Sequence, residues 1–202
     1  MVEKFRKDLK KALYEVRKKE YDSIIFLCVG TDKVTGDAFG PIIGENLKEI
    51  FRNYKNVQVI GDLEKTITFT DLKLIKEKIY EEYKKPCIVV IDAAISESSN
   101  IGKIFVETGQ ICLGSGLNKS EIIVGEINIK GVVAKNLNNK EDNFIMLQNT
   151  KLGLVMKMAK IVIKVIDYEM NKFLKTGKNL KIEEKFPGGK NGYWRYEKYN
   201  CS

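Results

Sequence analysis

The sequence predicts an α/β fold, a three-layer sandwich with a mainly parallel central sheet between helices. Three observations predict it. Ser23 to Val29 (SIIFLCV) and Cys87 to Ile91 (CIVVI) are continuous apolar runs of strand length, without the polar alternation of a strand solvated on one face. Around them, apolar residues return at helical spacing. The resulting order, strand–helix–strand–helix–strand, sets parallel strands side by side and puts the crossover helices on the faces of the sheet.

Each element has its own signal. Phe5, Leu9, Ala12, Leu13 and Val16 share one helical stripe, so the chain opens on an amphipathic helix. After the first strand, Gly30 to Gly36 is polar and bounded by glycine, which predicts a loop. Phe39, Ile42, Ile43, Leu47, Ile50 and Phe51 form the second helical stripe, with Asp37 expected at its N-cap and Pro41 tolerated in its first turn. Val57 to Ile60 is a short strand. Asp71 is expected to cap a helix carrying Leu72, Ile75, Ile79 and Tyr83 on one face, and the next strand, Cys87 to Ile91, ends in Asp92. Lys103 to Glu107 and Glu121 to Ile129 are later strands, with the loop Gly114-Ser115-Gly116 between them. Leu152, Val155, Met156, Ala159, Ile163, Ile166 and Met170 mark a long closing helix. Residues 1–176 are expected to form one α/β domain. Residues 177–202, rich in Lys, Gly, Asn and Tyr, read as a basic, irregular tail.

Composition narrows the chemistry. A chain of 202 residues suits one domain with a substantial core. No apolar run reaches the roughly 18 residues of a membrane span, and the charged N-terminus lacks the apolar block of a signal peptide, so a cytoplasmic protein with no membrane partner is expected. Three of the four cysteines, Cys28, Cys87 and Cys112, lie in apolar runs and none forms a CxxC pair, which argues against zinc and a disulfide framework. The chain has 0 histidines. That removes Ser-His-Asp and Cys-His catalysis and the commonest transition-metal ligand. Acid–base chemistry is left to Asp, Glu, Lys, Tyr or Cys; no cofactor and no tightly bound transition metal are expected, with a hard ion held by Asp32, Asp37 and Asp92 left open. The net charge of +8 comes from lysines scattered over helix faces and near both ends. Without a nucleic-acid-binding motif this reads as a solvated surface, and nucleic acid is not an expected partner.

In a doubly wound sheet, ligands bind beyond the carboxyl ends of the strands. Two loops fall there, Gly30 to Gly40 and Asp92 to Asn100. The first is glycine-rich but lacks the P-loop ending and the dinucleotide spacing, and its carboxylates Asp32 and Asp37 would repel phosphate. The second begins Asp92-Ala93-Ala94, where small residues leave space before the carboxylate. Asp37 could instead serve only as a helix cap, and Asp92 as a loop-fixing residue. If the first and third strands are neighbours, Asp37 and Asp92 meet on one rim. Two close carboxylates do not both ionise easily and share a proton. The charged member can then activate water while the neutral one donates to a carbonyl oxygen, which is a route to peptide hydrolysis without histidine, cysteine or metal. Asp32 could replace one member. Thr31 and Asp32 on the first loop are candidate substrate-binding residues. So are Gly114, Ser115 and Gly116, whose backbone N–H groups could face an oxyanion or a substrate chain; a plain turn is the alternative there.

Three segments, FLCVGTDKVTGDAFGP (Phe26 to Pro41), VVIDAAI (Val89 to Ile95) and LGSGL (Leu113 to Leu117), resemble together the YyaC-type family of sporulation proteins. The resemblance runs from about Ser23 to Ile166. That family in turn looks like a shortened relative of the germination protease of spore-forming bacteria, an aspartic-type endopeptidase that degrades the small acid-soluble proteins coating spore DNA. The protease's two key aspartates lie in segments matching Thr35 to Pro41 and Ile91 to Ala93, so the resemblance implies Asp37 and Asp92 as catalytic residues. It also implies the fold of the hydrogenase maturation proteases, a spore-protein substrate, and a location in the forespore or spore interior. Hydrogenase maturation proteases hold nickel partly through a histidine, which is missing here, so the metal role does not carry over. Asp32 stands where the longer relatives tend to have asparagine. Two functions follow: an endopeptidase, or a non-catalytic sporulation factor that binds a basic peptide or protein in the same acidic cleft. An assembly of identical subunits is left open.

Overall fold

The structure, a computed structural model, describes residues 1–109, 111–113 and 122–176. In chain order the elements are α1 (Val2–Arg17), β1 (Ser23–Cys28), α2 (Phe39–Phe51), β2 (Val57–Ile60), α3 (Leu72–Glu82), β3 (Pro86–Ser96), a 3-10 turn (Ser98–Asn100), β4 (Ile104–Thr108), β5 (Ile111–Leu113), β6 (Ile122–Val124), β7 (Ile127–Lys135), α4 (Lys140–Gln148) and α5 (Leu152–Thr176). Five strands form one sheet in the order β2-β1-β3-β7-β4, and β5 and β6 form a separate antiparallel pair. β1, β2, β3 and β7 run parallel, while β4 joins β7 antiparallel at the edge.

The apolar runs explain the centre of the sheet. All six residues of β1 are buried, as are the first six of β3. Alternate residues serve opposite layers. Ile24, Phe26, Cys28, Val89 and Ile91 join the core under α1, α2 and α5, whereas Ile25, Leu27, Ile88 and Val90 pack with Leu72 and Ile79 of α3. The result is helices, sheet, helix. β2 lies on one side of β1 and β3 on the other, so the crevice between β1 and β3 is the point where the winding reverses. Arg6 of α1 donates to the buried carboxylate of Glu169 on α5 at 2.9 Å, tying the first helix to the last.

Several elements differ from the sequence reading. β3 does not end at Asp92 but runs to Ser96, because β7 keeps pairing with it from Asp92 opposite Lys130 to Ser96 opposite Lys135. The stretch Glu121 to Ile129 is two strands, broken at Gly125 with φ +92°. The later of them continues to Lys135. α4 was not expected, since it buries none of its residues and has no apolar stripe to read; it starts at Asn139, whose side chain accepts from the Glu141 and Asp142 N–H groups. Asp71 does precede α3, but its carboxylate turns back to accept from the Thr68 N–H at 2.8 Å and hydroxyl at 2.6 Å instead of capping the helix. The expected tail, residues 177–202, lies outside the described residues. No described helix is long and apolar enough to cross a membrane.

Candidate active site

The β1–α2 loop is folded back onto the strand it leaves. Gly30 has φ +138°, a conformation that L side chains rarely adopt, and a Cβ there would fall on the carbonyl oxygen of Asp37. A Cβ at Gly40 would likewise fall on the carbonyl oxygen of Val29. These two glycines let the start of α2 close over the end of β1. From the other side, the Gly36 N–H donates to the Leu147 carbonyl of α4 at 2.9 Å. The Phe39 ring is fully buried and packs on Gly131 of β7. Asp37 therefore sits between two anchored residues, Gly36 and Phe39.

Asp37 is not the expected N-cap. α2 begins after Ala38, and no side chain caps it. The Asp37 carboxylate is half-buried and accepts no hydrogen bond from any described residue. Partial burial alone raises its affinity for a proton.

Asp92 comes from β3. The last paired residues of β1 and β3 are Cys28 and Ile91, and the Val29 N–H still donates to the Ile91 carbonyl at 2.8 Å. Asp92 is thus the first residue of β3 beyond the edge of β1, although β7 still pairs with it. The parallel pairing of β1 and β3 brings it to the same rim as Asp37. Its carboxyl is pushed up from an ordinary 3.8 to about 7, first by loss of solvent, then by the negative charge of Asp37; the Ala93 N–H and Lys130 act in the opposite sense. Both carboxyls are thus shifted toward the protonated form, Asp92 by the larger amount.

The other candidate residues fall differently. Asp32 is exposed at the outer turn of the loop, and it is not among the charges that act on Asp92. Thr31 is half-buried, and its hydroxyl accepts from the Lys33 N–H at 3.3 Å. Gly114, Ser115 and Gly116 lie outside the described residues. Sequence reasoning missed Lys130, the register partner of Asp92. A lysine inside the apolar run INIKGVVAK was the available signal. Among the described residues, no three His, Cys, Asp or Glu side chains gather as a metal site. Cys28 and Cys87 are buried free thiols, and burial drives both thiols up, away from the reactive thiolate.

Comparison with known proteins agrees with this architecture. A family model described as "Protein of unknown function (DUF1256)" matches residues 2–165. Over 147 residues the chain is 31% identical to "Uncharacterized protein YyaC" of Bacillus subtilis (strain 168), covering 73% of this chain and 69% of that protein. Among solved structures, the [NiFe] hydrogenase maturation protease HycI from Thermococcus kodakarensis KOD1 aligns with a TM-score of 0.51 at 16% identity, over 79% of this chain and 99% of that one. The hydrogenase maturating endopeptidase HybD from E. coli gives 0.42 at 12% identity, over 72% and 93%. The likeness to HycI extends to the fold.

Proposed function

The chain belongs to the DUF1256 family, and from that premise we propose that it is a sporulation-associated endopeptidase of aspartic type, with Asp37 and Asp92 as its acid–base pair and small spore proteins as its substrates. The observation that carries the reading is the placement of two half-buried carboxylates on one rim, past the last paired residues of β1 and β3 and neither spent as a helix cap; the charge of Asp37 bearing on Asp92 supports it. The resemblance to sporulation proteins supplies the substrate class and the spore location. The fold shared with HycI is consistent with peptide hydrolysis.

In the proposed cycle Asp37 is ionised and Asp92 protonated. Asp37 removes a proton from a water molecule as the water oxygen bonds to the scissile carbonyl carbon. Asp92 gives its proton to the carbonyl oxygen, forming a neutral tetrahedral diol. In collapse, Asp92 takes back a hydroxyl proton while Asp37 passes its proton to the leaving amine, so the C–N bond breaks and the pair returns to its starting state. The singly protonated pair is the working form.

The test is incubation of purified small acid-soluble spore proteins with wild type, Asp37→Asn and Asp92→Asn. Wild type should cleave, and either variant should lose roughly 10²–10⁴-fold in rate. Full cleavage by either variant rejects the paired-acid mechanism. A wild type that binds these proteins and cleaves none supports the binding factor instead.

A further inference from the structure

Lys130 interrupts a strand that is otherwise given to the core: Ile127, Ile129, Val132 and Val133 of β7 are all buried. Its backbone is the register partner of Asp92 on β3. In neighbouring parallel strands, register partners point to the same face, so the ammonium and the Asp92 carboxyl leave the sheet side by side. Lys130 is nevertheless committed elsewhere. Its Nζ donates to Glu107 Oε2 at 2.7 Å. On the antiparallel edge strand β4, Phe105 lies opposite Lys130 and Glu107 opposite Asn128, so Glu107 is the diagonal neighbour on that face. The side chain of Lys130 is 34% exposed and that of Glu107 54%, so the pair lies where solvent reaches the edge of the sheet.

From this register and this ion pair we propose that Lys130 is a positioning residue for the Asp37–Asp92 site, and that Glu107 holds its ammonium aside from the Asp92 carboxyl. The inference rests on the peptidase reading for its purpose, and on strand geometry for its substance. Among the described residues, the charged groups that act on Asp92 are Asp37 from the β1–α2 loop and Lys130 from β7, with Glu107 of β4 reaching it through Lys130. A free ammonium beside Asp92 would favour its carboxylate, and two ionised carboxylates would leave no proton to donate. Glu107 offsets part of that charge and turns the ammonium toward the edge.

The couple makes opposite predictions for its two members. In the full chain with 13C-labelled aspartate, the Asp92 resonance is identified by its loss in Asp92→Asn, and its midpoint is read by NMR without substrate. Lys130→Met removes a positive neighbour and should raise the midpoint by about one pH unit. Glu107→Gln releases Lys130 toward Asp92 and should lower it by a similar amount. Lys130→Arg keeps the charge and should leave it near the wild-type value. The double variant should follow Lys130→Met, because Glu107 acts only through Lys130. Should Lys130→Met lose its native circular dichroism, Lys130→Gln takes its place at this part-exposed position. Midpoints that do not move, or that move in the same direction in Lys130→Met and Glu107→Gln, overturn the proposal. The expected shifts in a protein without cleavage would retire the peptidase reading and leave the couple standing; cleavage abolished by Asp37→Asn alongside unmoved midpoints would do the reverse.

Discussion

Asp92 links stability to pH. Its carboxyl holds a proton up to about 7 in the folded protein, whereas an unfolded aspartate releases it near 3.9. Between those values the native state binds more protons than the unfolded chain, so the stability tied to this proton is present below about 4 and is lost as pH rises through about 7. Asn keeps the shape and carries no charge. Asp92→Asn should therefore gain stability over wild type as pH rises through that window, by on the order of 4 kcal/mol at about 1.4 kcal/mol per pH unit. Urea unfolding at pH 4 and pH 8 measures the difference; an equal effect at both values would contradict the buried, protonated carboxyl. The same proton sets the upper limit of the proposed activity. Cleavage should fall as pH rises through about 7, where Asp92 loses its proton, and at low pH as Asp37 gains one, giving a bell-shaped profile. A rate that keeps rising past pH 8 would contradict Asp92 as the proton donor.

At the scale of elements, α2 is placed by close backbone approach. Gly40 lies against the Val29 carbonyl and Gly44 against the Gly61 carbonyl, one helical turn apart on one face. Gly40→Ala puts a methyl group where a backbone oxygen stands, and neither backbone can swing aside as a side chain could. It should cost about 3 kcal/mol, displace the loop that holds Asp37, and reduce activity along with stability. α4 depends on local capping instead. With no fully buried residue and only Met146 and Leu147 packed against the core, it draws on Asn139 accepting from the Glu141 and Asp142 N–H groups, so Asn139→Ala should cost about 1 kcal/mol and loosen the Gly36 N–H bond to Leu147. Chemical denaturation of the two variants gives the costs, and amide exchange at Gly36 reports the loosening.

Across the whole molecule, stability is concentrated where both faces of the sheet are covered. β1 and β3 are buried between two helical layers and pair over six residues, and β7 holds β3 on its other side. Native-state hydrogen exchange should find the slowest amides in β1, in the first half of β3 and in β7, with α4 exchanging through cheaper local openings. Faster exchange in the centre of β1 than in α4 would contradict this distribution. The site straddles the boundary between these regimes. Asp92 extends from a strand buried between both helical layers, while Asp37 is carried by a loop pinned through α4.

The sequence by itself determined the layers and offered the two acids as candidates. Unbroken apolar runs such as SIIFLCV and CIVVI carry a parallel, doubly covered strand in a local pattern, and the apolar stripes of α1, α2, α3 and α5 are equally local. Asp37 and Asp92 were legible because glycine and alanine beside a carboxylate at a strand-to-loop junction form a short-range signal. The end of β3 was not legible, since whether Asp92 to Ser96 pair depends on β7, more than thirty residues later in the chain. The position of Asp37 relative to α2 was decided the same way: a lone Asp before a helix fits an N-cap, but packing of Gly30 and Gly40 against backbone carbonyls goes with a helix that starts after Ala38 and is not capped by the Asp37 carboxylate. Lys130 beside Asp92, and Glu107 beside Lys130, exist as neighbours only through strand order and register. Register joins residues distant in sequence, and no periodicity within one segment encodes it; the electrostatics of the pair therefore belongs to the tertiary structure.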